Sequence, residues 1–183
     1  MRDALAHIDQ VTEEKKSAQA REFNEKGIFN LLEARPQAAL GYFKCAAELD
    51  PSNPKYFVNK GVTCQLLGDQ DGMLRAFRAA IGLGWEDPFL LNAVAWHYVT
   101  QPQYNLLETG IAYAETAVEK VWHPAYLDTL ACANAARGNY KLAALLEREA
   151  LSLAEDRDPC KAYYARMLAA FQDGQSYTEA MGK

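Results

Sequence analysis

Histidine, cysteine and a scatter of carboxylates are the side chains in this sequence whose chemistry reaches beyond packing. A zinc site or an activated nucleophile needs such groups close in sequence or one helical turn apart. His7, His97 and His123 are too widely separated for a helical ligand pair, and H-E-x-x-H, G-x-S-x-G and phosphate-loop patterns are absent. Cys45, Cys64, Cys132 and Cys160 form no C-x-x-C pair, which points to reduced thiols rather than a disulfide framework or a zinc cluster. Gly82-Leu83-Gly84 lacks the third glycine and the preceding strand of a nucleotide-binding turn, and reads as a helix terminator. What remains is Asp128 with Glu115 or Glu119 as a carboxylate pair, and His97 beside Trp96 as a base. Acids on helical repeats are ordinarily solvated, and a lone histidine on a helix is ordinarily structural. The expectation is a protein that is not an enzyme and uses no metal ion and no cofactor.

The elements that position these residues announce themselves by repetition. Phe23 and Phe57, Lys26 and Lys60, Gly27 and Gly61, Phe43 and Phe77, and Ala46 and Ala80 are each 34 residues apart. Self-similarity at that period, with small residues where helices approach and aromatics further on, marks an array of helix-turn-helix units. The first copy covers 20–53, with a break at Ala34-Arg35-Pro36; the second covers 54–87, with a turn at Gly68-Asp69. Asp50-Pro51-Ser52-Asn53-Pro54 separates them, because proline cannot donate to a helix and disfavours helix in the residue before it.

Asp87-Pro88 reads as an N-cap and first-turn proline that open a third copy, 88–123. Ala80 to Ala117 spans 37 residues rather than 34, and the extra three belong to the segment Thr100 to Asn105. A fourth copy, 124–157, turns at Gly138-Asn139-Tyr140. Asp158-Pro159 then caps a helix over 158–172 that closes the array, leaving 173–183 as a tail. At the other end, Ala4, Leu5, Ile8 and Val11 share one face of a short helix over 1–18. That helix is either a cap or the remnant of an upstream copy.

These residues resemble the tetratricopeptide repeat (TPR) family. The resemblance rests on Phe23, Lys26-Gly27, Ala39, Phe43, Ala46 and Pro51, repeated as Phe57, Lys60-Gly61, Met73, Phe77 and Ala80, and on Leu91 to Trp96 and Pro124 to Leu130 in the later copies. It covers 20–172. Lysine stands twice where leucine is usual, and Trp85, Trp122 and Glu155 stand where proline is common. The resemblance implies an all-α fold: a right-handed α-solenoid of about four helix-turn-helix repeats with a C-terminal capping helix.

It also implies a concave groove lined by the first helix of each pair. The groove residues would be Asn24, Ile28 and Leu31, then Val58, Asn59, Val62 and Gln65, then Asn92, Trp96 and Val99, then Asp128 and Cys132. Such a lining suits a peptide or helix of a partner protein. Trp96 serves either as an interface anchor or as a ring packed between helices. The clamp that some relatives use to grip a terminal carboxylate is missing, since Asn24, Ile28, Asn59, Phe89 and Ala93 occupy its positions and only Asn59 matches. An unpaired buried carboxylate would cost several kcal/mol.

Bulk composition narrows the partners. With 183 residues and 50% hydrophobic residues the chain can bury a sizeable core. A formal net charge of -5 argues against a nucleic-acid binder, which needs a basic stripe. No apolar run reaches the roughly 18 residues of a membrane span, and the start of the chain lacks a signal sequence. The expected protein is a cytoplasmic scaffold or adaptor that binds a protein or peptide in its groove and helps assemble a larger complex. The alternative is a self-associating structural subunit, a homo-oligomer held through terminal helices by Tyr163, Tyr164, Phe171 and Tyr177.

Overall fold

The computed structural model describes residues 2–101 and 105–182, with side chains from Val11 onward. Among the described residues there are ten helices and no strand. They fall into two compact units, residues 1–85 and 86–183.

The first unit holds α1 (Arg2–Leu32), α2 (Pro36–Leu49), α3 (Pro54–Leu66) and α4 (Gln70–Gly82), packed as α1 on α2, α3 on α4 and α2 on α3. The pairing follows from the repeated glycine and phenylalanine. A Cβ at Gly27 would lie 2.5 Å from Phe43 Cε1, and one at Gly61 would lie 2.3 Å from Phe77 Cδ1. Each ring therefore fills the space that the missing side chain leaves, and both rings are wholly buried. Between the pairs, Ala20, Ala46, Ala47 and Tyr56 form the cluster that joins them.

The N-terminal helix expected over 1–18 is not separate: α1 runs unbroken from Arg2 to Leu32, so 2–18 is continuous with the first helix of the first pair. Ser17-Ala18-Gln19-Ala20 contains neither proline nor glycine to break it. The unit's exit is as read from sequence. α4 ends at Gly82, and Gly84 turns the chain at φ +86°, in the left-handed region that glycine reaches without strain.

The second unit holds α5 (Pro88–Thr100), α6 (Leu107–Lys120), α7 (Pro124–Ala136), α8 (Tyr140–Leu153), α9 (Lys161–Gln172) and α10 (Tyr177–Met181). Asp87 caps α5 by accepting from the backbone N–H of Phe89 at 2.9 Å. His123 caps α7, its Nδ1 accepting from Ala125 N–H at 3.2 Å. The long connection in this copy lies in part outside the described residues, at 102–104. α9 starts at Lys161 rather than at Asp158-Pro159, because the Asp158 carboxylate accepts from Cys160 N–H at 2.7 Å and forms a turn ahead of the helix.

The stretch 173–183 is more than a tail, since it contains α10. Tyr164, Phe171 and Tyr177 are buried in the unit's own interior, and Tyr163 is half-buried against it. The terminal aromatics expected on an exposed association surface are thus consumed in packing. Among the described residues no helix is long and apolar enough to cross a membrane.

Candidate binding faces

In the first unit the expected groove residues lie on α1 and α3, neighbouring first helices of their pairs. Asn59 Nδ2 donates to Asn24 Oδ1 at 2.7 Å, so two of the amides meet and satisfy each other across the two helices. Leu31, Val58 and Val62 are half-buried, while Ile28 and Gln65 are exposed. The C-terminal ends of the same helices carry Phe29, Leu32 and Leu66 with 57%, 81% and 66% of their surface open. Phe29 also supports the Arg35 guanidinium 5.8 Å above its ring, a cation–π contact.

In the second unit α5 and α7 are the corresponding neighbours. Trp96 is half-buried, and its ring meets that of Tyr177 edge to face, with centroids 5.1 Å apart and planes at 73°. Asn92, one turn earlier on α5, has its buried Oδ1 without a hydrogen-bond partner. Three expected lining residues are not open to a partner. Val99 and Cys132 are buried in the same cluster as Tyr177, and Asp128 faces inward.

Asp128 belongs to a polar group inside the unit. Cys132, one turn on, brings its Sγ to 3.7 Å from Asp128 Oδ1. Glu147 on α8 and Tyr163 on α9 flank the carboxyl group, yet neither Glu147 oxygen nor the Tyr163 hydroxyl completes a hydrogen bond of ordinary geometry. Burial, and then the proximity of Asp128, push the Glu147 carboxyl far above the usual carboxylate range; burial also raises Asp128, by less. Two buried acids side by side do not both ionise, so at neutral pH Glu147 keeps its proton. Burial holds the Cys132 thiol protonated as well.

The carboxylate partner of Asp128 is therefore Glu147, and the pairing with Glu115 or Glu119, both exposed on α6, is not found. A signal for Glu147 exists in the sequence. It stands three residues before Ala150, as Phe43 and Phe77 stand three before Ala46 and Ala80, so a carboxyl replaces the packed ring. Among the described residues no group of three or more ligating side chains is placed to hold a metal ion. His97 Nδ1 lies 3.1 Å from Gln101 Nε2, and His123 is a helix cap, so both histidines have structural partners.

Several solved structures share this all-helical architecture. YrrB, described as a TPR protein with an unusual peptide-binding site, superposes with a TM-score of 0.70 at 18% identity, over 95% of this chain and 87% of YrrB. The MamA RS-1 ArsTM double mutant gives 0.67 at 17% identity, over 90% of this chain and 93% of MamA. The fold is that of the TPR proteins. Pseudomonas aeruginosa PilF shares it at a TM-score of 0.60 and 16% identity, over 92% of this chain and 74% of PilF. No protein-family model matches the sequence, and no curated protein does. This TPR-fold chain thus shares an architecture with these proteins, at identities that speak to fold alone.

Proposed function

We propose that this chain is a non-catalytic interaction scaffold that holds a peptide or helix of a partner protein on the first helices of its pairs and serves the assembly of a larger complex. The observation that carries this reading is the apolar face left uncovered on α1 and α3. Ile28, Leu32 and Leu66 stand open around the half-buried Leu31, Val58 and Val62. Leaving that much apolar surface in water is unfavourable by about 25 cal/mol per Å², and such patches mark interaction sites. The Asn24–Asn59 bond adds a fixed amide pair on which a partner's backbone can register. YrrB's description as a peptide-binding TPR protein supports the same class of role.

The test is capture by the full chain from its source lysate, in parallel with an Ile28→Asp/Val62→Asp double variant. The expected result is a protein retained by the parent and lost from the variant, whose peptides then titrate against the parent by calorimetry. Equal retention by both would remove the α1–α3 face from the reading, and capture of nothing but the chain itself would favour self-association.

A further inference from the structure

The last helix of the chain does something a terminal cap has no need to do: it sits on first helices of the second unit. Gly174, at φ +71°, turns the chain after α9, and α10 then packs against α7 as well as α9. Tyr177 is 8% exposed and lies in one cluster with Val99, Ile111, Cys132 and Phe171, its ring edge-on to Trp96. Ala180 and Met181 pack against the same cluster.

α10 carries bonds at both ends. Ser176 and Glu179 form a reciprocal capping box, with Ser176 N–H donating to Glu179 Oε2 at 2.6 Å and Glu179 N–H to Ser176 Oγ at 3.4 Å. At its far end Arg166 Nη2 donates to Ala180 O at 2.6 Å. A helix of five residues does not persist in water alone, so its structure depends on the surface beneath it. Short elements held by contacts with only a few helices open at low free energy.

The seat is also larger than its occupant. A cavity of about 280 Å³ remains beside Tyr177, walled by Tyr98, Val99, Leu107, Ala136 and Thr178.

We propose that the α5–α7 face is a peptide seat that the chain's own C-terminal turn occupies, and that a partner's helical turn of the same build displaces it. Resting on the scaffold reading above, this names the second unit's ligand. The segment has a serine or threonine cap, an aromatic at the first helical position to reach Trp96, a glutamate two residues after the aromatic, and, where Thr178 leaves space, a bulkier apolar side chain. The resident turn keeps the seat closed until such a segment arrives, and the partner's apparent affinity is reduced by the closed fraction.

The experiment uses a labelled synthetic peptide of residues 173–183 as the probe, with the full chain and its Tyr177→Ser and Tyr177→Ser/Trp96→Ala variants. Releasing the resident turn should tighten peptide binding by about tenfold or more relative to the parent, and adding Trp96→Ala should remove it. A peptide carrying Leu in place of Thr178 should bind about tenfold tighter than the natural one, as filled apolar space requires. Equal binding by parent and Tyr177→Ser, no binding by a Tyr177→Ser variant that melts as a folded protein, or binding that survives Trp96→Ala would each overturn the proposal.

Should Tyr177→Ser not fold, hydrogen exchange on the parent decides. Amides of 177–182 exchanging well ahead of those in α9 support an independently opening turn, and exchange in step with α9 overturns it. Failure of the peptide to bind Tyr177→Ser while a partner still needs Ile28 and Val62 sinks this inference alone. Peptide binding without any captured partner would sink the broader reading instead.

Discussion

Gly61 and Phe77 share a space that admits growth by only one of them. A methyl group at Gly61 gains helix propensity of about 1 kcal/mol, but it would lie 2.3 Å from the Phe77 ring, buried at 0% exposure. Overpacking therefore wins, and Gly61→Ala should lower stability by about 1–3 kcal/mol in urea denaturation. Combining it with Phe77→Leu should cost less than the sum of the single changes, which a double-mutant cycle reads directly.

Glu147 poses the opposite problem, a polar group where a ring packs in the earlier copies. Its folded pKa is raised by burial, so the folded protein holds a proton that the unfolded chain releases. Stability from this site is then fullest below the unfolded carboxylate range and declines as pH rises toward the folded value, about 9. The slope is bounded by about 1.4 kcal/mol per pH unit for one proton. Melting temperatures recorded from about pH 5 to about pH 9 should fall for the parent and fall less for Glu147→Gln, which keeps the shape without the acid. A parent profile no steeper than the variant's would show that the pair ionises without cost.

At the scale of helices, the chain marks its starts more clearly than its ends. Pro36, Pro54, Pro88 and Pro124 each stand in the first turn, where a missing N–H is harmless, and the breaks read from sequence fall there. Asp87 supplies α5 with its only described side-chain cap, so Asp87→Ala should cost about 1 kcal/mol and Asp87→Asn much less, measured as shifts in the urea midpoint. Three features were harder to read. α1 joins two expected helices because nothing between them breaks the chain, an absence that carries less signal than a proline does. α10 is announced by Ser176 and Glu179 at capping-box spacing, yet a five-residue helix has too little periodicity to show which surface it covers. The inward turn of Asp128 depends on Glu147 and Tyr163, which come from two other helices, so no local pattern contains it.

Across the molecule, each helix in a unit packs chiefly on its immediate neighbours in sequence. Interactions so local close short loops, and loop-closure entropy sets the folding speed of small helical proteins. Refolding by stopped-flow dilution should therefore show its main phase on the order of milliseconds or faster, and a main phase of seconds would mean that long-range docking is limiting. This locality is also why the repeated architecture could be read from the order of residues, while the surfaces it builds could be read only in outline. The repeat position puts Trp96 on α5, but that it meets Tyr177 follows from a chain reversal at Gly174 that the repeat does not encode.

The fit of Phe43 and Phe77 against their glycines has a further consequence for how such a chain can change over generations. In the later copies the corresponding small residues are Ala95 and Ala131, and the residues three before the repeated alanines are Ala114 and Glu147. A glycine that gains its methyl while the ring is still present meets a collision, whereas a ring lost first leaves a gap that the methyl can fill. Divergence between copies is therefore gated by order: the large partner must shrink before the small one grows, and the two earlier copies sit on the near side of that gate.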